Sequence, residues 1–568
     1  MAKFIWQVKS LEIPEDFSQL SQLLLSNREI KQAKTFFAPP HPLTLDPTAL
    51  DLDPKQVKIM CARLARAHQE KSKIVIFGDY DADGICATAI LWRLLFDAGF
   101  QVVPFIPNRL EHGYGLSIGA AQAVIDREKP AIILTVDNGV VAHEAVTWLN
   151  TQQIEVIITD HHQPERGKTG QPVLPQALAL LLSTQLCGAS LAWVVGRLIL
   201  ESRQKKLTTK LKTTLNQELD LCALATIADQ VPLIAANRSF AYFGLKALQQ
   251  TQRPGLLALF NQAGIKVDSI TASSIGYSLA PRINALGRLA EGIAGVRLLC
   301  TNNQARANDL ASNLNDLNIR RQDITQTALD EAERQVGKQT EESLLVVYSP
   351  DFHEGVIGLV AGRLCEKYFK PVVVMGGAGE VVKGSARSIN GVNITNLIRQ
   401  LKEELLDIGG HPLAAGFSLE KSKLELFSQK LQQLAKDAIS SELLVPRVEA
   451  DCQLPDHLVN LAVAKDLLAF GPFGQANPEP IFVLKAYEIL ACQAIGKESQ
   501  HLKLLLKAPT DQGAKKPLPL TALFWRNGHN TNDFKPGGRL DLLVKLTVNR
   551  WREKESLQLI VLQTKVLS

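Results

Sequence analysis

The sequence predicts a multi-domain α/β chain: a doubly wound parallel-sheet domain, a long connecting helix, a second α/β domain and a small C-terminal β-barrel. Three observations predict it. Short runs rich in β-branched residues alternate with helical periodicity between Lys73 and Thr159, which is the pattern of parallel strand–helix–strand units. A second pattern of the same kind starts at Leu344. Beyond Val445-Pro446 the style changes to short alternating strands. The chain has 568 residues, too many for one core, and at roughly 150 residues per domain three or four domains are expected. With 46% apolar and 21% charged residues it is globular, not disordered.

Residues 1–50, with Pro39-Pro40, Pro42 and Pro47 near their end, read as an N-terminal extension that packs on the next domain. The first domain is expected over residues 51–300. Ile74-Val75-Ile76-Phe77 is a strand ending in Gly78-Asp79, and a helix is predicted from Ala87 to Ala98. A strand at Gln101–Ile106, a helix near Ile118–Arg127, a strand at Ala131–Val136, a helix at Glu144–Asn150 and a strand at Ile154–Thr159 follow. The nearly unbroken apolar strands fit a sheet covered on both faces. Residues 187–330 read as mainly helical. The polar stretch Ala305–Gln335, nearly free of Gly and Pro, predicts a connecting helix over residues 301–340. Leu344–Tyr348 and Pro371–Met375 are strands of a second domain at 341–440, and Leu502–Leu506 and Leu557–Val561 belong to a barrel at 447–568.

Several functional classes are excluded. The longest apolar stretches, such as Ala177–Leu182, fall far short of the ~20 residues of a membrane span, so no membrane partner is expected. The start, Met1 to Lys9, lacks the apolar core of a secretory signal. Eight cysteines without a C-x-x-C pair argue against a zinc ribbon and a disulfide scaffold, and a reducing cytoplasm is the expected setting. The net charge is +5, but residues 481–568 hold 14 Lys/Arg against 7 Asp/Glu, so the rest of the chain is slightly acidic. A basic terminal module points to a polyanion partner.

The chemistry sits at the strand ends, where open parallel sheets bind ligands. Gly78-Asp79-Tyr80-Asp81-Ala82-Asp83-Gly84 follows the first strand, Asp137-Asn138-Gly139 the third and Asp160-His161-His162 the fourth; Ala228-Asp229 closes a later helical run. A single Asp at such a junction is as readily a helix cap as a ligand. Acids at alternate positions, joined by Asp-His-His, are much harder to explain as caps. Crowded carboxylates repel unless cations neutralise them, and acids with imidazole suit Mn²⁺ or Mg²⁺. Two such ions ~3.5–4 Å apart would clamp an in-line phosphoryl displacement.

Taken together and in this order, these segments resemble the motifs of the DHH phosphoesterase superfamily. Ile106-Pro107-Asn108-Arg109, Gly113-Tyr114-Gly115-Leu116, Ala280–Arg288, His353–Gly358, Lys383–Ser388, Gly409–Gly416 and Gly471–Pro480 are similar to segments of its RecJ-type branch of single-strand-specific DNA exonucleases. The resemblance runs from about residue 50 to the end. It implies a DHH domain, a DHH-associated second domain and an OB-fold barrel, with 5′→3′ degradation of single-stranded DNA in recombination and repair that needs two Mn²⁺ or Mg²⁺ ions.

Carried over to this chain, the resemblance gives Asp81, Asp83, Asp137, His161 and Asp229 as metal ligands, with Asp137 bridging and Asp79 beside them. His162 would contact the scissile phosphate and His411 would complete the site from the second domain. By the same resemblance Arg109, Arg282, Ser385 and Arg387 become candidates for a 5′-phosphate pocket. From the residues themselves, Gly410 is a small residue that could let backbone N–H groups approach an anion or simply form a tight turn, Arg320 and Arg321 lie on the connecting helix as a solvated face or a channel lining, and Trp551, flanked by Arg550 and Arg552, is the stacking candidate on the barrel. A single-strand-binding protein and a helicase are partners the family implies. Two departures are visible: Phe77 stands where some members carry a His ligand, and the stretch from Gln163 to Leu186 lacks an expected Asn-Pro. Two other readings compete: a phosphodiesterase of very short oligonucleotides, against which the terminal barrel speaks, and an inactive single-strand-binding scaffold, against which the acidic set speaks.

Overall fold

A computed structural model describes residues 4–108, 115–167, 169–204, 208–339, 341–509, 519–552 and 554–567. The first domain is built on five parallel strands in the order Val102–Phe105, Ile74–Phe77, Ile132–Val136, Glu155–Asp160, Ala179–Leu182. Chain order reverses between Ile74–Phe77 and Ile132–Val136, which makes that edge the switch point where such sheets take their ligands. Side chains alternate across the sheet. Ile74 and Ile76 join one core with the helices Ala82–Asp97 and Gly188–Arg203. Val75 and Phe77 join the other with Ile118–Glu128 and His143–Thr151. Burial on both faces is why these strands lack polar alternation.

The sheet has a fifth strand, Ala179–Leu182, beyond the four expected from the sequence. A short apolar run has no periodicity to separate strand from helix; here the free edge of Glu155–Asp160 decides. A two-stranded hairpin, Glu165–Arg166 with Pro172–Val173, precedes it. The first helix also begins earlier than predicted, at Ala82, because Asp81 caps it.

The connecting helix is one element of 33 residues, Gln304–Val336, roughly 50 Å long at 1.5 Å per residue. Ala307, Ala311 and Leu314 sit in the core of the first domain, and Ala328, Ala332 and Val336 in the core of the second. The second domain carries a mixed sheet. Leu345–Ser349 and Val372–Gly376 run parallel, and Val381–Arg387, Ala414–Glu420 and the edge strand Asp407–His411 follow antiparallel. At the C-terminus Phe482–Ile495, His501–Lys507, Leu520–Phe524, Lys554–Leu567 and Arg539–Trp551 form successive neighbours, and Phe482–Ile495 pairs again with Arg539–Trp551 to close a barrel. Among the described residues no helix is long and apolar enough to cross a membrane.

The N-terminal segment departs from expectation. Besides the next domain it also packs on the last: Leu20, Leu23, Leu24 and Phe36 belong to the barrel core, and Ile5–Val8 pairs in parallel with Arg447–Ala450. The later part of the segment packs on the first domain: Leu50 joins its core, Arg238 donates to the Phe36 carbonyl, His41 packs on Phe243, and Arg197 donates to the carbonyls of Pro42, Leu43 and Leu45. The amphipathic Leu20/Leu23/Leu24 stripe tells that the helix docks; it does not tell on which core. Arg28 fastens the junction. Its side chain is 3% exposed and donates to Asp451 Oδ1 at 3.0 Å, to Asn477 Oδ1 at 3.3 Å and to the carbonyls of Leu24 and Pro478. Removing one partner of a buried pair leaves the other charge stranded. Arg28→Ala is therefore expected to lower stability by about 3 kcal/mol, seen as an earlier urea transition of the Trp525 and Trp551 fluorescence.

Candidate metal centre

The site grows out of how the chain leaves each strand at the switch point. After Phe77 it turns at Gly78, where a Cβ would lie 1.9 Å from Thr88 Oγ1. Asp81 then caps the helix Ala82–Asp97, accepting from the backbone N–H of Asp83 at 2.9 Å and of Gly84 at 3.0 Å. Capping and ligation are thus compatible: the cap fixes one oxygen and leaves the other. Gly84 lies against Asp79, and a Cβ there would be 2.6 Å from the Asp79 backbone. From the bridging segment Asn284 Oδ1 accepts from Ala82 N–H at 2.7 Å, which pins the loop to the helical part of the domain.

Asp137 leaves the third strand in the left-handed region, φ 63°, which places its carboxylate over the sheet edge. Asn138 ties the two strand ends together, donating to the carbonyls of Val136 and Phe77. Asp160 accepts from Val140 N–H at 2.8 Å through Oδ2. Through Oδ1 it takes the N–H of His161 and His162 and the Nδ1 of His162 at 2.8 Å. Its role is to hold His162; it is not among the groups placed to bind an ion.

The remaining partners come from a helix that the motifs do not mention. Gly188 and Ala189, the first residues of Gly188–Arg203, donate their N–H groups to Asp83 Oδ2 and Oδ1 at 2.6 and 2.7 Å. The positive end of that helix thereby holds a carboxylate beside other carboxylates. Gly188 also has no room for a side chain: a Cβ would sit 2.6 Å from Asp137 Cβ and 2.7 Å from its Oδ1. The only sequence signal was a Gly opening a helix shortly after a sheet strand.

These placements bring every predicted ligand together. Ligand atoms within 4.8 Å of one another form three groups: Asp79, Asp81 and Asp137; Asp83, His161 and Asp229; Asp137, His161 and His162. His161 Nε2 lies 3.0 Å from Asp137 Oδ1 and 3.7 Å from both Asp83 Oδ2 and Asp229 Oδ2. Asp137 and His161 each belong to two of the groups, so the three sets overlap.

Electrostatics shows what the site lacks. Asp137 is 2% exposed, and its Oδ1 accepts no hydrogen bond. Burial, then the charges of Asp83, Asp81, Asp79 and Asp229, push its carboxyl well above the usual range. Burial and then Asp83 raise Asp81 as well; burial, Asp83 and Asp81 raise Asp229 to about 8. Burial lowers His161, which favours the neutral ring that a metal ion needs as ligand. His162 is opposed by burial but lifted by Asp160, Asp229 and Asp79 to about 9, so it is an imidazolium. A set of buried acids that resists ionisation this strongly calls for added positive charge. Hard oxygen donors with one neutral imidazole fit Mn²⁺ or Mg²⁺.

Phe77 does not point here. It is fully buried in the opposite core and stacks on Phe105 at 5.4 Å. Arg109 lies outside the described residues. Arg282 donates to Asn315 Oδ1 at 3.2 Å on the connecting helix and to the Ser278 carbonyl at 2.6 Å. Arg320 is exposed, whereas its neighbour Arg321 is the one turned inward, its Nε buried without a hydrogen bond and its charge facing Arg363 and Arg282. In the second domain Arg387 donates to Ser385 Oγ at 3.3 Å, and both face Gly358, where a Cβ would come within 3.2 Å of them. Arg288 donates to the Gly355 carbonyl at 2.8 Å and joins the two domains at this point. Gly410 has φ 141°, and a Cβ would meet the Ala414 carbonyl at 2.3 Å, so only Gly fits. His411 stands exposed at the end of its edge strand and makes no hydrogen bond or ion pair to the acidic cluster among the described residues. On the barrel Phe524 is core, Trp551 is 69% exposed, and Trp525 is exposed too, packed edge-on against His501.

A parallel sheet with this acidic constellation at its switch point is the arrangement of the DHH class, and the family model described as "DHH family, N-terminal domain" matches residues 73–226. The DHHA1 domain model matches residues 341–437 and the RecJ OB domain model residues 450–563. "Single-stranded-DNA-specific exonuclease RecJ" of Haemophilus influenzae is 34% identical, over 88% of each chain. That of Escherichia coli is 33% identical over 88% of each. That of Bacillus subtilis is 30% identical over 89% of this chain, which spans 63% of that relative's length. The crystal structure of RecJ from Thermus thermophilus in complex with Mn²⁺ superposes with a TM-score of 0.80 at 27% identity, covering 99% of this chain and 79% of the other. The chain belongs to the RecJ family.

Because Gly188 borders Asp137, its substitution tests the centre without touching a ligand. Gly188→Ala is expected to weaken Mn²⁺ binding about 10- to 100-fold by calorimetry while the far-ultraviolet circular dichroism stays that of the parent.

Proposed function

We propose that this chain is an exonuclease that degrades single-stranded DNA from its 5′ end to mononucleotides, in recombination and repair, with two Mn²⁺ or Mg²⁺ ions. The observation that carries this reading is the convergence of seven ligand-type side chains on one sheet edge, in overlapping groups, with carboxyls held above their normal range for want of a counter-charge. Asp79, Asp81 and Asp137 would hold one ion, and Asp83, His161 and Asp229 the other, with Asp137 between them. Bound there, the ions supply Lewis-acid stabilisation of the phosphoryl oxygens and acidify a water.

The residues of the chain do the rest. Asp83 is kept in place by the helix start at Gly188. Asp160 holds Nδ1 of His162, so the other nitrogen, Nε2, is left to donate to an oxygen of the scissile phosphate. Arg282, Ser385, Arg387, Gly410 and Arg109 are the candidates for the terminal phosphate, with His411 reaching in from the second domain. Arginine forks suit a phosphate, and small residues let backbone N–H groups approach it. Arg321, half-buried with its charge facing Arg363 and Arg282, extends the cationic wall beyond Arg282. The exposed Trp551 and Trp525 on a basic barrel give single-stranded bases a surface to stack on, which a phosphodiesterase of dinucleotides would not need. A cytoplasmic setting, and delivery of strands by a helicase and a single-strand-binding protein, belong to the same reading on family resemblance.

The reading is tested with single-stranded DNA labelled at one end, with and without a 5′-phosphate, beside 5′-tailed and blunt duplexes. Mononucleotides should appear first from the 5′ end of single-stranded and tailed substrates, and only with Mn²⁺ or Mg²⁺. Equal rates on blunt duplex, or release from the 3′ end, would remove it. Asp81→Ala and Asp137→Ala should each lower turnover by about 10⁴-fold and leave DNA retention in a filter-binding assay in place. Chelation should give the same loss, reversed by adding the metal back.

A further inference from the structure

A cavity of about 510 Å³ opens in the first domain among its helices, and no residue of the metal centre lines it. Its volume lies within the range of about 300–1,000 Å³ typical of small-molecule sites. The floor is a saturated ion network. Arg253, fully buried, donates to Asp220 and to Glu218 Oε2 at 3.1 Å and to the Leu299 carbonyl at 3.1 Å. Glu218 Oε1 takes no hydrogen bond and lies 3.4 Å from Arg93 Nε, so Arg93 is held by one long contact and keeps donors to spare. On one wall the rings of His41 and Phe243 pack at 4.5 Å, tilted by 59°, and give an aromatic wall; His41 Nδ1 accepts from Leu43 N–H, and burial lowers His41 toward its neutral form. Lys246 stands exposed at the rim, and the amides of Asn216, Gln217, Gln250 and Asn302 complete the lining.

Aromatic face, amide edges and cations together match one class of ligand. A sugar would leave the cations unused, and inorganic phosphate would leave the aromatic wall and the amides unused. We propose that this cavity binds a nucleoside monophosphate, its base on the His41–Phe243 face and its phosphate toward Arg93 and Lys246. The site goes beyond the nuclease reading, yet the fold connects the two. The helix Ala82–Asp97 carries Asp83 at its start and Arg93 near its end, and Leu219–Ala228 starts at the cavity and is capped by Asp229. The two helices pack on each other, so the cavity lies about one helix length, roughly 15 Å, from the acidic cluster.

The test uses the full chain carrying Asp137→Asn, in chelator, so that neither metal nor turnover enters and a failure of the nuclease reading does not touch it. Deoxyadenosine monophosphate, thymidine monophosphate and inorganic phosphate are titrated by calorimetry. The expected result is one saturable site for the nucleotides, at least tenfold tighter than phosphate. Lys246→Met and Phe243→Leu should each weaken it tenfold or more with an unchanged melting temperature, and Arg387→Ala should leave it intact. No saturable binding, equal affinity for phosphate, or loss with Arg387→Ala but not with Lys246→Met would overturn the proposal.

Discussion

Mutual repulsion among buried carboxylates is the constraint on which the rest of this structure depends. Asp79, Asp81, Asp83 and Asp137 are held at one sheet edge with almost no exposure for three of them, an arrangement that costs stability in the absence of cations. The surrounding fold is organised to tolerate it. One helix start takes Asp83, one cap uses Asp81, and Asn284 and Asn138 stitch the loops that carry them. Against burial, Asp160 lifts the pKa of His162 at the rim, which favours a positive charge beside the acids. Placing the constellation at the switch point matters, because there two loops diverge and leave space that a continuous sheet would fill.

Local chemistry was legible in the sequence wherever it was carried by neighbours in the chain. The Asp79-to-Gly84 turn, Asp137, the His161-His162 pair and Asp229 could be placed because a strand or helix end fixed each one. What was not legible came from partners distant in sequence. Nothing in Cys187-Gly188-Ala189 announces that its N–H groups hold Asp83, 105 positions earlier. Phe77 read as a missing ligand, but the alternation of a strand sends that side chain into the opposite core. Arg320 and Arg321 are adjacent and look equivalent; helical rotation alone turns one to solvent and the other toward Arg282. Phe524 closes its barrel strand facing the core, whereas Trp525, the next residue, already lies in the turn and stands exposed.

The connecting helix turns two separate cores into one working unit. Its alanines allow close approach at both ends, while its middle presents Asn315 and Arg321 toward the bridging segment. Arg288 and Gly355 add a direct contact between the domains beside the predicted phosphate residues. The acidic cluster of the first domain and Ser385 and Arg387 of the second are thus positioned by packing on one helix, and the barrel with its exposed tryptophans lies on the N-terminal segment as its mount.

That mount has a consequence for how the chain is made. Asn27 and Asp451, joined by hydrogen bonds, are 424 positions apart. On a ribosome adding about 5–20 residues per second, the leucines of the first helix wait roughly 20–80 s before the barrel they belong to has emerged. During that interval the nascent segment holds an apolar stripe with no destination, while the catalytic domain is already able to collapse behind it. Residues 447–567 thus shelter a segment synthesised well before them, and a polypeptide truncated before residue 447 would emerge with that segment still uncovered.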